Sequence, residues 1–175
     1  MLPMSINPDP MDPAPIFVFL DFDGVTHPWG EVEDFRCLPR VEDVLRRFDE
    51  VRVVITSDWR TLFSERKLAA RFSEDLRSRV VGVTPHIVPR KGGDLHGLRE
   101  REARQWLTEA GHEGGRWLAV DDAPGNWLTR SRLVLTDFKR GFTQEDAVVM
   151  ARLIGRLREG TDGLEEHPLR TVLWA

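Results

Sequence analysis

Cysteine is almost missing from this chain: Cys37 stands alone. That excludes an internal disulfide and suits a reducing compartment, with the cytoplasm as the expected location. No apolar run approaches the roughly 20 residues that a membrane-spanning helix needs. Positive charge is not in excess either. Lys and Arg number 25 against 29 Asp and Glu, a net charge of −4, so no global basic field calls for nucleic acid or an anionic membrane. Residues 1–15 lack the basic start and apolar centre of a signal peptide. Proline-rich as they are, residues 1–14 read as an extended arm. Internal repeats and low-complexity blocks are missing. So are the Walker-A, Gly-x-Ser-x-Gly and His-Glu-x-x-His patterns, and His86, His96 and His112 show no zinc-ligand spacing.

What is there suffices for one domain with a real core, since the chain has 175 residues and an ordinary globular balance of apolar and charged side chains. Its focus is Ile16-Phe-Val-Phe-Leu-Asp21-Phe-Asp23-Gly24. An apolar run bounded by turn residues reads as a buried strand. This one stops at two carboxylates, at the carboxyl end where open α/β sheets bind ligands. Side chains alternate along a strand, so Asp21 and Asp23 project the same way, and Gly24 marks the exit turn. Two close carboxylates repel unless a cation or a proton lies between them, which predicts a metal ion here. An EF-hand loop does not fit, because its fifth and twelfth positions would be Val25 and Val32.

The rest of the chain alternates. Pro39 opens a helix with Val41, Val44, Leu45 and Phe48 on one stripe. Val51–Ile55 is a second buried strand, ending in Thr56-Ser57-Asp58-Trp59-Arg60. The spacing then predicts a helix over 60–72, with Leu62, Phe63, Ala69 and Phe72 inward, and a short strand over 79–83. A Pro/Gly/His-rich loop holding Lys91 leads to a helix over 99–110 that Gly111 stops. Trp117–Val120 is a strand ending in Asp121-Asp122, and Leu133–Thr136 is another. Thr143 caps a last helix running to about Leu157. The tail, 161–175, with Val172-Leu-Trp174, is expected to dock on the body or on a second copy, as a monomer or weak homodimer.

Alternating strands and helices imply a mainly parallel, Rossmann-like sheet in a three-layer α/β/α sandwich. Three strands then end on one rim in Asp21/Asp23, Thr56/Ser57 and Asp121/Asp122. Several carboxylates, a hydroxyl and a nearby cation suit phosphoryl transfer. A carboxylate can be the nucleophile, magnesium takes oxygen ligands, and a second acid can serve the leaving group and then water.

Phe19-Leu-Asp21-Phe-Asp23-Gly-Val resembles the first motif of the haloacid dehalogenase-like hydrolases. Val54-Ile-Thr56 resembles their second motif and Leu118-Ala-Val-Asp121-Asp122 their fourth, in the same order over about residues 15–158. Within that superfamily the chain is similar to the domain found in Swiss Army Knife RNA repair proteins, through Asp-Gly-Val-Thr-His27-Pro28, Thr-Ser-Asp-Trp59-Arg60, Ala103-Arg-Gln-Trp106-Leu and Trp117-Leu-Ala-Val-Asp-Asp.

The resemblance implies a magnesium-dependent phosphatase with an aspartyl-phosphate intermediate. Asp21 would be the nucleophile and a metal ligand. Asp23 would be the general acid/base, with its backbone carbonyl on the metal. Asp121 and Asp122 would hold magnesium, and Thr56, with Ser57 as fallback, would bind the phosphoryl group. Gly24, His27 and Arg60 are expected on the substrate side. The third-motif cation falls to Arg99, with Arg101 close by and Lys91 in the preceding loop as the alternative. The gaps at 25–52 and 60–97 leave little or no room for a cap domain, and an open site suits large phosphorylated substrates such as nucleic-acid ends.

Packing or capping is the alternative for His27 and Trp29. Trp59 and Trp127 read as core or as stacking platforms. The basic stretch Arg60, Arg66, Lys67, Arg71, Arg77 and Arg79 reads as a solvated face or a phosphate track. Two other readings stay open: a phospho-accepting signalling module, and an inactive module that binds nucleic-acid ends.

Overall fold

The structure is a computed structural model and describes residues 14–31, 34–89, 91 and 93–161. The expected arm, apart from Ala14, and the tail beyond 161 lie outside the described residues.

Among the described residues five parallel strands form one sheet. They are β1 (Ile16–Leu20), β2 (Val51–Ile55), β3 (Val80–Val83), β4 (Arg116–Asp121) and β5 (Leu133–Leu135), in the order β3-β2-β1-β4-β5. The central β1 pairs with β2 and β4 over its whole length, and all five of its residues are buried. Its alternate side chains feed two cores. Ile16, Val18 and Leu20 join the larger one, and Phe17 and Phe19 the smaller. A strand covered on both faces has no need of polar alternation, which is why β1 reads as an unbroken apolar run.

Helices cover both faces. α1 (Leu38–Arg46) and α4 (Gln144–Arg158) pack on the larger core with the expected Val41, Val44, Leu45 and Phe48 stripe. α3 (Leu98–Glu109) covers the smaller core through Ala103 and Leu107. Thr143 caps α4 with a full capping box closed by Asp146. The result is a three-layer α/β/α sandwich. Among the described residues no separate cap domain interrupts it.

The expected helix over 60–72 is not continuous. Asp58–Thr61 is a 3-10 turn, α2 is only Glu65–Ala69, and Glu74–Arg79 is a second 3-10 turn. Ser64, with extended backbone, breaks the run, and Ser73 starts the second turn after it. Leu62, expected inward, is therefore exposed. The basic stretch is not one solvated face either. Arg79 donates to the Leu45 and Phe48 carbonyls and Arg77 to that of Phe72, so both fasten chain ends.

Candidate functional site

The carboxyl ends of β1, β2 and β4 meet on one rim. Backbone bonds continue the ladder past the strands, from Asp21 N to Val120 O (3.1 Å) and from Thr56 N to Leu20 O (2.9 Å). This holds Asp21, Thr56 and Asp121 level with one another. Asp21, Asp121 and Asp122 each offer an oxygen lying within 4.8 Å of the others'.

Arg99, in the first turn of α3, reaches into this group. Its Nη1 lies 2.7 Å from Asp21 Oδ2 and 2.9 Å from Asp121 Oδ2, and its Nη2 is 3.7 Å from Asp58. Two buried glutamates next to it in sequence place it there. Glu100 accepts from the backbone N–H groups of Leu128 and Thr129 and from Arg104. Glu102 accepts from Ile87 N–H and pairs with Arg60 at 2.7 Å. Lys91 is exposed, and Arg101 turns back to the His96 and Asp94 carbonyls. Of the three cations considered, only Arg99 touches the acids.

Asp121 is held at both oxygens. Oδ1 accepts from Ala123 N–H (2.8 Å), while Oδ2 accepts from Trp127 Nε1–H (2.9 Å) as well as Arg99. Asp23 is held similarly. Trp59 Nε1–H donates to its Oδ2 (2.9 Å), and His27 Nε2 lies 3.1 Å from its Oδ1. The Thr26 hydroxyl donates to Phe22 O (3.0 Å), and His27 Nδ1 lies 3.2 Å from the same hydroxyl oxygen. Trp59 and Trp127 are thus buried core residues with an indole N–H on an acid each. Neither presents a stacking face.

Gly24 has φ +71°, and a Cβ there would fall 2.2 Å from Asp122 Oδ2. Its carbonyl accepts from the Thr136 hydroxyl (2.8 Å). Thr56 is fully buried with Oγ1 unpartnered. Ser57 Oγ accepts from Trp59 N–H and caps the 3-10 turn. Arg60, expected at the substrate, is turned into the body instead. Its guanidinium binds Glu102, the Thr84 carbonyl and the Thr56 carbonyl. It ties the ends of β2 and β3 to α3. His27, also expected to touch substrate, is buried against Asp23. Thr84, at the end of β3, was not singled out by the sequence reading, yet it too is buried with Oγ1 unpartnered.

The electrostatics follow from too many buried acids. Burial pushes Asp21 up from its usual 3.8 to about 6, against the pull of Arg99 and with the help of Asp121. Burial, and then Asp21, raise Asp122 to about 6. Burial raises Asp121 as well, with Arg99 and the Trp127 N–H opposing. For Arg99, burial works against the charge, and the facing carboxylates more than reverse it. One cation does not balance this set. Asp21 Oδ1 is buried without a partner. An all-oxygen donor set with surplus negative charge fits a hard divalent cation.

A parallel sheet with paired acids at the central strand's end, two more at its neighbour's and a cation between them defines a haloacid dehalogenase-like α/β domain. Residues 17–147 match the family described as the HAD domain in Swiss Army Knife RNA repair proteins. The match covers well over half of the chain, and the chain belongs to that family. No curated protein and no solved structure matches it. Among the described residues no helix is long and apolar enough to cross a membrane.

Proposed function

We propose that this domain is a magnesium-dependent phosphomonoester hydrolase working through a phosphoryl group carried on Asp21. The observation that carries the reading is the acidic set Asp21, Asp121 and Asp122, converging within 4.8 Å around Arg99.

Asp21 Oδ1, which has no protein partner, and Asp122 are the groups left to meet Mg²⁺, together with the Asp23 backbone carbonyl. Asp121, engaged at both oxygens, completes the negative set. Bound there, Mg²⁺ supplies neutralisation of the substrate phosphate and of the clustered carboxylates.

The protein's own groups then divide the work. A carboxylate oxygen of Asp21 forms a bond to phosphorus as the bond to the leaving oxygen breaks. Asp23 gives its proton to that oxygen. In the second half, Asp23 takes a proton from water, the water oxygen bonds to phosphorus, and the bond to Asp21 breaks, releasing phosphate. Arg99 orients the Asp21 carboxylate through Oδ2. The unpartnered Thr56 hydroxyl donates to an equatorial phosphoryl oxygen.

For substrate, we infer phosphate-ended nucleic acid or nucleotides. Support comes from the family's description, from the capless rim, and from two exposed aromatics, one of them two residues beyond His27 in the loop after β1. Trp29 is 64% and Phe138 46% exposed, and the two are joined by a Trp29 N to Phe138 O bond (2.8 Å). Exposed rings beside a phosphate site suit stacking on unpaired bases.

Rapid acid quench of enzyme mixed with magnesium and a phosphomonoester tests the mechanism. The peptide containing Asp21 should carry a phosphoryl group by mass spectrometry. Phosphate release with no labelled peptide at any quench time contradicts the covalent step.

A further inference from the structure

Asp23 differs from Asp21 and Asp121 in its exposure. Its side chain is 37% exposed, against 5% for Asp21 and 0% for Asp121. An aspartate in a turn with that much free surface ordinarily samples several χ angles. Here each oxygen is tied, and the two ties come from different elements. His27 Nε2 reaches Oδ1 from the loop after β1, and Trp59 Nε1 reaches Oδ2 from the turn after β2.

The two partners are themselves immobile. His27 is 1% exposed, bonded at Nδ1 to Thr26, with its ring edge-on to Phe35. Trp59 packs edge-on to Phe22 and Phe35 and beside Phe63, and the Arg71 guanidinium lies 5.5 Å from its ring. An apolar core gains nothing from an imidazole and an indole N–H unless both find partners. They converge on one carboxylate that faces the reaction side.

We propose that His27 and Trp59 are positioning residues, a two-point clamp that holds the Asp23 carboxylate towards the leaving-group oxygen. This rests on the reading of Asp23 as the general acid. Misplacing a catalytic group by about 1 Å can cost on the order of a hundredfold. The cost falls where proton donation matters most, on substrates whose leaving alcohol is a poor one.

The test compares kcat for an alkyl phosphate and for 4-nitrophenyl phosphate, whose leaving group needs little protonation. The proteins are wild type, Asp23→Asn, Trp59→Phe, His27→Leu and His27→Gln. Trp59→Phe keeps an aromatic ring in the core and removes the N–H. His27→Gln keeps a donor that His27→Leu lacks. We expect the alkyl-to-aryl ratio of kcat to fall most in Asp23→Asn and about tenfold in Trp59→Phe and His27→Leu, with His27→Gln recovering part of it. If Asp23→Asn lowers the ratio and Trp59→Phe does not, the clamp is wrong while the acid stands. If Asp23→Asn leaves the ratio unchanged, the acid assignment itself fails. A purely structural role would lower both rates together and hold the ratio constant. Should His27→Leu not fold, Trp59→Phe alone decides.

Discussion

Gly24 and Asp122 touch so closely that a methyl group on Gly24 would overlap the carboxylate: the added Cβ would lie 2.2 Å from Oδ2. Gly24 also has φ +71°, where L side chains are strained. Gly24→Ala therefore has to displace Asp122 or the turn after Asp23. We expect a loss of about 1–2 kcal/mol in stability and a larger loss in magnesium affinity. Chemical denaturation and magnesium titration of the same variant measure both.

Among the described residues Arg99 is the one cation that pairs with the clustered acids. Arg99→Ala leaves Asp21 and Asp121 facing each other without it, so kcat should fall at least about a hundredfold. Arg99→Lys keeps the charge but not the shape that spans two carboxylates, and should recover only part of the loss. Lys91→Ala, altering an exposed side chain, should behave as wild type. Steady-state kinetics on one phosphomonoester ranks all three.

The raised acids give a pH signature. Asp21 and Asp122 titrate at about 6 in the folded chain against their usual 3.8. Between those values the folded protein holds protons that the unfolded chain has released. The metal-free protein therefore loses stability as pH rises through this window, and the penalty persists above it. A divalent cation competes with the same protons. Magnesium should raise Tm more at about pH 7.5 than at about pH 5. An equal gain at both values contradicts the assignment of these acids as its ligands.

Much of this site was legible in the sequence because acids interrupt apolar strands. β1 ends at Asp21 and β4 at Asp121, and a buried strand ending in a carboxylate has no packing reason to do so. The sheet and three of the helices followed from apolar spacing. The 60–72 segment misled because Leu62 and Phe63 mimic a helical stripe, while Ser64 breaks it locally. The partners of the acids were hidden. Nothing in the chain's spacing says that Trp59 donates to Asp23, or Trp127 to Asp121, since each indole packs as core and only its N–H direction matters. Arg99-Glu-Arg-Glu102 was expected to supply the cation through Arg99, but nothing in its spacing shows what aims that side chain. The alternate members Glu100 and Glu102 are buried and anchor α3 so that Arg99 points inward. Arg60 looked like a substrate contact because it follows the second motif, but Glu102, a partner distant in sequence, draws it into the body.

Trp29 gives a test of substrate class. It is exposed and lies two residues beyond His27 in the loop after β1. Trp29→Ala should raise KM for a phosphate-ended oligonucleotide about tenfold, in line with the loss of one base stack, and leave 4-nitrophenyl phosphate turnover within error. Equal effects on both substrates would argue against a stacked strand.

The account depends most on Asp21. Asp21→Asn keeps the size of the side chain and removes one of the crowded charges, so the metal-free variant should fold at least as stably as wild type at neutral pH. The decisive measurement is magnesium-dependent release of phosphate from a generic aryl phosphate by wild type and Asp21→Asn, with circular dichroism confirming the fold. Turnover by wild type and its abolition in the variant is the predicted result. Turnover by the variant at the wild-type rate would contradict the mechanism.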